Sequence, residues 1–193
     1  MTLAERLRAT LSAEPAEPPL TGDLAEQELG PSTAAAVLVA VTDREEPGIL
    51  LTVRREDMRT HAGQIAFPGG RIDPGEGVVA AALREAHEEL GIDPAGADVI
   101  GTTDEYRTVT GYVVTPVLAV IPPDLALRPH DREVAAWFEA PMAHLLDAAN
   151  HRRESAVFRG ATRDYYVVDW QGRRIWGATA AMLVNLSRRL QWR

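Results

Sequence analysis

One segment constrains this chain more than any other. From Val78 to Leu90 it contains no Pro or Gly and is rich in Ala, which predicts a helix. On a wheel of about 100° per residue, Val79, Ala82, Leu83, Ala86 and Leu90 fall on one arc, and Glu85, Glu88 and Glu89 on another. Carboxylates at i, i+3 and i+4 repel one another by roughly a few tenths of a kcal/mol per pair. Arg84, four residues before Glu88, can hold one carboxylate, which leaves at least two to be compensated from elsewhere. A hard divalent cation does this: Mg²⁺ takes a small number of carboxylates and keeps positions open for water and phosphate oxygens. Pro68-Gly69-Gly70 and Pro74-Gly75 mark a loop ahead of the helix, where glycine lets backbone groups approach a ligand. Gly91 stands where a helix ends on a left-handed residue. Glu76 reads as structural, orienting Arg84 or serving as a first-turn acid, with a metal role the lesser alternative. His87 falls outside both arcs and reads as a boundary or surface residue.

Composition narrows the chemistry further. The 193 residues suit one domain with a full core and a short appendage. No Cys is present, which removes disulfides, thiolate zinc sites and cysteine nucleophiles. All 20 basic residues are Arg. Without lysine there is no Schiff-base enzyme, no Walker-A phosphate loop and no protein kinase. A net charge of −8 argues against extended contact with a nucleic-acid backbone. No apolar run approaches the roughly 18 residues of a membrane span, and the N-terminus lacks a signal-peptide core. A cytoplasmic protein with a small-molecule substrate is expected, with neither nucleic acid nor membrane as partner, as a monomer or homodimer.

Along the chain, Leu3, Leu7 and Leu11 predict a short amphipathic helix, followed by an Ala-, Glu- and Pro-rich linker. Residues 1–29 are read as an arm, docked on the domain or in a dimer contact, and residues 30–193 as the domain itself. Strands are expected at Ala34–Val41, Ile49–Arg54, Asp98–Thr102, Tyr112–Ile121 and Glu133–Glu139, with a turn at Asp43–Gly48. A helix around Pro141–Ala149 should follow, then a strand pair about Gln171-Gly172 and an amphipathic helix over Ala178–Leu190. The alternation implies α/β or α+β architecture.

The segment from Gly70 to Ile92 resembles the Nudix box, Gly-x5-Glu-x7-Arg-Glu-apolar-x-Glu-Glu-x-Gly-apolar. Gly70, Glu76, Arg84, Glu85, Ala86, Glu88, Glu89, Gly91 and Ile92 occupy its defined positions. The resemblance implies an α/β/α sandwich with a mixed sheet, and hydrolysis of a nucleoside diphosphate linked to another group. Upstream, Leu50-Leu51-Thr52-Val53-Arg54, Arg59, Gly63 and Phe67-Pro68-Gly69-Gly70 look like the signature of the coenzyme A pyrophosphatase branch. Arg55 departs from it, standing where Ser or Ala is usual. Thr110–Pro116, Glu133-Val134 and Ile175–Ala180 are also similar to that branch, so the likeness covers about residues 32–185. It implies cleavage of coenzyme A and its derivatives to 3′,5′-ADP and 4′-phosphopantetheine.

On this reading Glu85 and Glu89, with Glu88 in or near the same shell, hold Mg²⁺, with Mn²⁺ as a substitute. A carbonyl of Gly69 or Gly70 is a further ligand by resemblance, and both glycines are placed against the substrate. Glu88 and Glu133 are candidates for the general base, and Glu105 is a third that reads better as a solvated loop acid. Arg54, Arg59 and His61 precede the glycine loop and are candidates for phosphate contacts, since arginine is best shaped for bidentate phosphate binding. The alternatives are a Nudix hydrolase of another substrate, such as an ADP-sugar, NADH or a dinucleoside polyphosphate, a non-catalytic nucleotide-binding module, and an enzyme of capped RNA. The complete box disfavours the second, and the acidic balance the third.

Overall fold

The computed structural model describes residues 1–15, 17–23, 30–56, 63–158 and 160–192. Strand β1 (Thr33–Thr42) runs through the middle of the main sheet. It pairs in parallel with β7 (Tyr112–Ile121) along its whole length, from Thr33 opposite Tyr112 to Thr42 opposite Ile121. On its other side it pairs antiparallel with β2 (Gly48–Arg54) and with β4 (Gly69–Arg71). Two-residue β3 (Ile65–Ala66) and β8 (Val134–Pro141) flank β2, while β5 (Asp98–Thr102) and β6 (Tyr106–Arg107) flank β7. One parallel pair among antiparallel ones makes the sheet mixed.

Both faces of β1 are covered, and for that reason its sequence is almost continuously apolar. Side chains alternate along a strand. Ala36, Leu38 and Ala40 therefore enter one core with Ala81, Ala82, Ala86 and Leu90 of α2 (Val78–Leu90). Ala35, Val39 and Val41 enter the other, with residues of α3 (Met142–Leu146) and α4 (Ala178–Leu190). The α/β/α sandwich with a mixed sheet is thus the architecture observed. Helix α1 (Leu3–Leu11), started by a Thr2–Glu5 capping box, buries Leu3, Ala4 and Leu7 in the second core, against β5 and α4. Among the described residues no helix is long and apolar enough to cross a membrane.

Three readings of the sequence change. The buried face of α2 is Ala81, Ala82, Ala86, Glu89 and Leu90, whereas Val79 and Leu83 are only half-buried. Small alanines let the helix approach the sheet closely, and that approach draws Glu89 inside. The glycine approach is not all loop, because Gly69–Arg71 forms β4. The expected strand pair near the C-terminus is a separate three-stranded sheet of β9 (Arg152–Phe158), β10 (Ala161–Trp170) and β11 (Arg173–Trp176). Strand β9 is exposed along nearly its full length and so carries no apolar alternation to read.

Candidate active site

Strand β4 and helix α2 meet where side chains would not fit. A Cβ on Gly70 would lie 2.5 Å from the Glu85 carboxyl group, and one on Gly69 would lie 2.4 Å from the Ala36 carbonyl oxygen. A bare Gly70 lets the Glu85 carboxylate lie directly on the strand backbone, and a bare Gly69 lets β4 pack against β1. The Gly69 N–H donates to Glu89 Oε2 at 3.3 Å. Arg54, at the end of β2, brings Nη1 to 3.9 Å from Glu89 Oε1, and among the described residues its buried Nε has no hydrogen-bond partner.

Glu89 is only 4% exposed. Burial outweighs the attraction of Arg54 and the Gly69 N–H and pushes its carboxyl up to about 7. Burial likewise raises Glu85, against the hydrogen bond from Arg84. Both feel the charge of Glu133. That residue stands exposed immediately before β8, rather than on the strand as expected.

Arg84 ties the back of this cluster together. Its Nε and Nη2 donate to the two oxygens of Glu76 at 2.9 and 3.0 Å, and its Nη1 donates to Glu85 Oε1 at 2.9 Å. Nη2 also donates to the Arg71 carbonyl at 3.0 Å. Glu88 is a weaker partner at 3.4 Å, with its side chain 58% exposed. Arg84 does reach Glu88, but the expectation that it holds only one of the three helix carboxylates is corrected, because it also donates to Glu85, and its Nε and Nη2 hold Glu76. The paired hydrogen bonds hold Glu76 below the usual carboxylate range and Arg84 above its own. At the far end of the helix, Gly91 adopts φ 72° and the Ile92 N–H reaches back to the Ala86 carbonyl.

Among the described residues, no three His, Asp or Glu side chains converge closely enough to cage a cation by themselves. Glu85 and Glu89 are one helical turn apart, both facing the cavity beside Gly69 and Gly70. Two carboxylates of this kind fit a hard cation that retains water and takes substrate phosphates as its remaining ligands. A buried Glu89 only partly offset by Arg54 is the site's clearest demand for positive charge.

Beside these groups lies a cavity of about 840 Å³. Arg54, Gly69, Gly70, Glu85, Glu89 and Glu133 line it, whereas Glu88 and Glu105 do not. Glu105 is exposed and accepts a hydrogen bond from Thr115. Arg59 and His61 lie outside the described residues. The sequence reading did not place Asp23, Thr108, Arg163, Tyr165 and Trp176 at the site, and these also line the cavity. Asp23 joins three segments there. Its carboxylate accepts from Tyr106 Oη at 2.5 Å and from the Val109 N–H at 2.8 Å, and its carbonyl accepts from Arg163 Nη1 at 3.4 Å. Burial, with Asp23 beside it, raises the Tyr106 hydroxyl strongly. The adjacent Gly22 packs so closely on Arg107 that a Cβ would lie 2.6 Å from its carbonyl oxygen. No periodicity or spacing marks these contacts, although Trp176 falls in the stretch Ile175–Ala180 singled out by resemblance.

Residues 32–159 match the NUDIX domain family. Proteins described as uncharacterised Nudix hydrolase NudL, from Shigella boydii serotype 4 and Escherichia coli O1:K1, are each 43% identical to the chain. Their alignments cover 79% of it and 80% of the relative. Among solved structures, a C. elegans Ap4A hydrolase binary complex superposes with a TM-score of 0.50 at 23% identity, covering 56% of this chain and 80% of that one, a likeness of fold alone. The chain belongs to the Nudix hydrolase family. Its chemistry is accordingly pyrophosphate-bond hydrolysis, and Nudix hydrolases generally use divalent metal ions.

Proposed function

We propose that this enzyme is a Mg²⁺-dependent pyrophosphohydrolase of coenzyme A and its acyl or disulfide derivatives, releasing 3′,5′-ADP and a 4′-phosphopantetheine. The observation that carries the reading is the placement of the upstream signature. Its Arg54, Phe67, Gly69 and Gly70 line the same cavity as Glu85 and Glu89. A cavity of about 840 Å³ also exceeds what a bare pyrophosphate needs, and falls in the range of roughly 300–1,000 Å³ usual for sites of larger ligands.

Glu85 and Glu89 hold the cation, with Mn²⁺ as a substitute for Mg²⁺ and Glu88 at the rim. When bound, the cation neutralises charge on the pyrophosphate oxygens and acidifies or orients the attacking water. Arg54 holds a pyrophosphate oxygen, since its guanidinium lines the cavity beside Glu89. Gly69 and Gly70 let β4 lie close beneath the carboxylates, and a carbonyl of one of them would serve as a further ligand of the cation. Glu133, exposed at the cavity wall and near enough for its charge to act on Glu85 and Glu89, takes the proton of the water, with Glu88 as the alternative base. Glu76, Arg84 and Gly91 keep the helix and its carboxylates in register with β4.

Product analysis tests this reading. Hydrolysis with Mg²⁺ is followed across coenzyme A, acetyl-coenzyme A, ADP-ribose, NADH and a diadenosine polyphosphate. Fastest turnover of the coenzyme A compounds, with 3′,5′-ADP as product, is expected. Preferential turnover of ADP-ribose, NADH or the diadenosine compound would replace coenzyme A as the substrate and leave the hydrolase intact.

A further inference from the structure

The cavity continues from the carboxylates to a wall that holds Trp176 and Tyr165. Both residues lie beyond residue 159, where the family match ends. Trp176 is the last residue of β11 and is 42% exposed, and it lines the cavity with the exposed Val157 and Phe158. Its position is fixed from both sides. Gly177 takes a φ of 62° that turns the chain from β11 into α4, a conformation that suits glycine. The Gly177 N–H donates to the Tyr166 carbonyl at 3.1 Å, and the Gly177 carbonyl accepts from the Ala181 N–H at 2.9 Å. Tyr165 meets the indole edge-on, with centroids 5.8 Å apart and an interplanar angle of 66°. The Tyr165 hydroxyl is itself held by Glu154 and Arg174, each at 3.3 Å. The indole is therefore an oriented plate on the cavity wall.

We propose that Trp176 is a specificity-determining residue that stacks on the nucleobase of the substrate, with Tyr165 holding the indole in plane. The inference rests on the reading of the cavity as a nucleotide site. A nucleobase is favoured over an acyl or pantetheine chain by the company that Trp176 keeps. Asp23, Thr108 and Thr110 line the same cavity; their oxygens already take part in internal hydrogen bonds, and a carboxylate or hydroxyl oxygen keeps further lone pairs that can accept from a base amino group or a ribose hydroxyl. An aliphatic chain has no use for them. A flat π-face suits any base, and stacking on one aromatic is worth roughly 1–3 kcal/mol by alanine substitution.

The test compares Trp176→Ala, Trp176→Leu and Trp176→Phe with wild type. Inhibition constants are measured for 3′,5′-ADP and for 4′-phosphopantetheine, and AMP binding is followed by calorimetry. The alanine and leucine variants should bind 3′,5′-ADP and AMP about five- to a hundredfold more weakly. Phe should restore most of this, and 4′-phosphopantetheine should be unaffected in all three. Leucine keeps apolar bulk without a ring face, so a folded Trp176→Leu protein with normal AMP affinity would overturn the proposal even if Trp176→Ala failed to fold. Weakened 4′-phosphopantetheine binding with unchanged 3′,5′-ADP would also overturn it, by placing the other half of the substrate on the indole. Failure of wild type to bind either adenine nucleotide would do the same. If coenzyme A is not turned over but AMP binding still falls in Trp176→Leu, the stacking stands and the coenzyme A reading falls.

Discussion

In one part of the cavity the chemistry comes from one turn of α2 and the strand beneath it; in the other it comes from residues 23, 108, 165 and 176, drawn from segments far apart in the chain. The first part is charged, with Glu89 only 4% exposed. The second is aromatic and open, with Trp176 42% exposed. A reaction centre needs fixed charge where water is scarce, because electrostatic interactions strengthen as the dielectric falls. A wall that selects the non-reacting half needs shape and a few hydrogen bonds. Predictions that separate the two parts therefore test the whole arrangement.

The largest effect belongs to the carboxylates. Glu89→Gln or Glu85→Gln should cut turnover roughly a hundred- to a thousandfold, about 3–4 kcal/mol, if each matters as much as one oxyanion donor. The fold should survive, because an amide in place of a buried carboxylate needs no counter-charge. Near-normal rates in both variants at saturating Mg²⁺ would remove them from the metal shell. Glu89 also predicts a pH dependence of stability. Its carboxyl is raised from 4.5 in the unfolded chain to about 7 in the fold, so the folded protein holds that proton more tightly. Stability from this group is fully present below pH 4.5 and is lost as pH rises to about 7, a loss of roughly 3 kcal/mol in metal-free protein. Denaturant unfolding of metal-free protein between pH 5 and 8 measures it, and Glu89→Gln should flatten the slope. A slope unchanged in the variant would assign the dependence to another group.

Next in size is Glu133, whose charge acts on the pair from outside their helix. Glu133→Gln should lower the maximal rate by about a hundredfold with little change in substrate affinity, and flatten the acidic limb of the pH–rate profile. Should Glu88→Gln show that signature instead, the proton goes to Glu88. Arg54→Ala should reduce coenzyme A hydrolysis about ten- to a hundredfold, the loss of one charge-assisted phosphate contact of roughly 1.5–3 kcal/mol. Its place beside Glu89 sharpens the expectation: dephospho-coenzyme A, which keeps the pyrophosphate, should suffer equally. A loss confined to coenzyme A would mean that Arg54 reads the 3′-phosphate.

The difference between the two parts also explains what the sequence made legible. Helix α2 was readable because its determinants are local: Ala-rich composition, a left-handed Gly91 and carboxylates at helical spacing. Strands β5 and β7 were readable from β-branched runs bounded by turn residues. Burial of Glu89 was not, because a wheel ranks residues by polarity, whereas here the small alanines beside it let the backbone of β4 come close enough to donate from Gly69. Nor was β4 itself, since two glycines look like a loop until β1 pairs with them. The Asp23 junction joins residues 83, 86 and 140 positions apart in the chain, and no local pattern encodes that.

That junction supplies the smallest and most discriminating prediction. Tyr106 is 5% exposed and gives its hydroxyl hydrogen to Asp23, which in turn holds the Val109 N–H and the Arg163 guanidinium at the selective wall. Tyr106→Phe keeps the ring in the core and deletes one hydrogen bond to a carboxylate. Stability should fall by roughly 1.5–3 kcal/mol, read as a shift in the denaturation midpoint. If the junction only braces the fold, kcat and KM should be unchanged once the protein is folded. If it positions the wall that takes the non-reacting half of the substrate, KM should rise several-fold while kcat stays within about twofold, because uniform binding is lost and the carboxylate part is untouched. Pyrophosphate-bearing substrates lacking the nucleoside should then show no change in KM. A drop in kcat with KM unchanged would link Asp23 to the reacting part and erase the division between the two parts of the cavity.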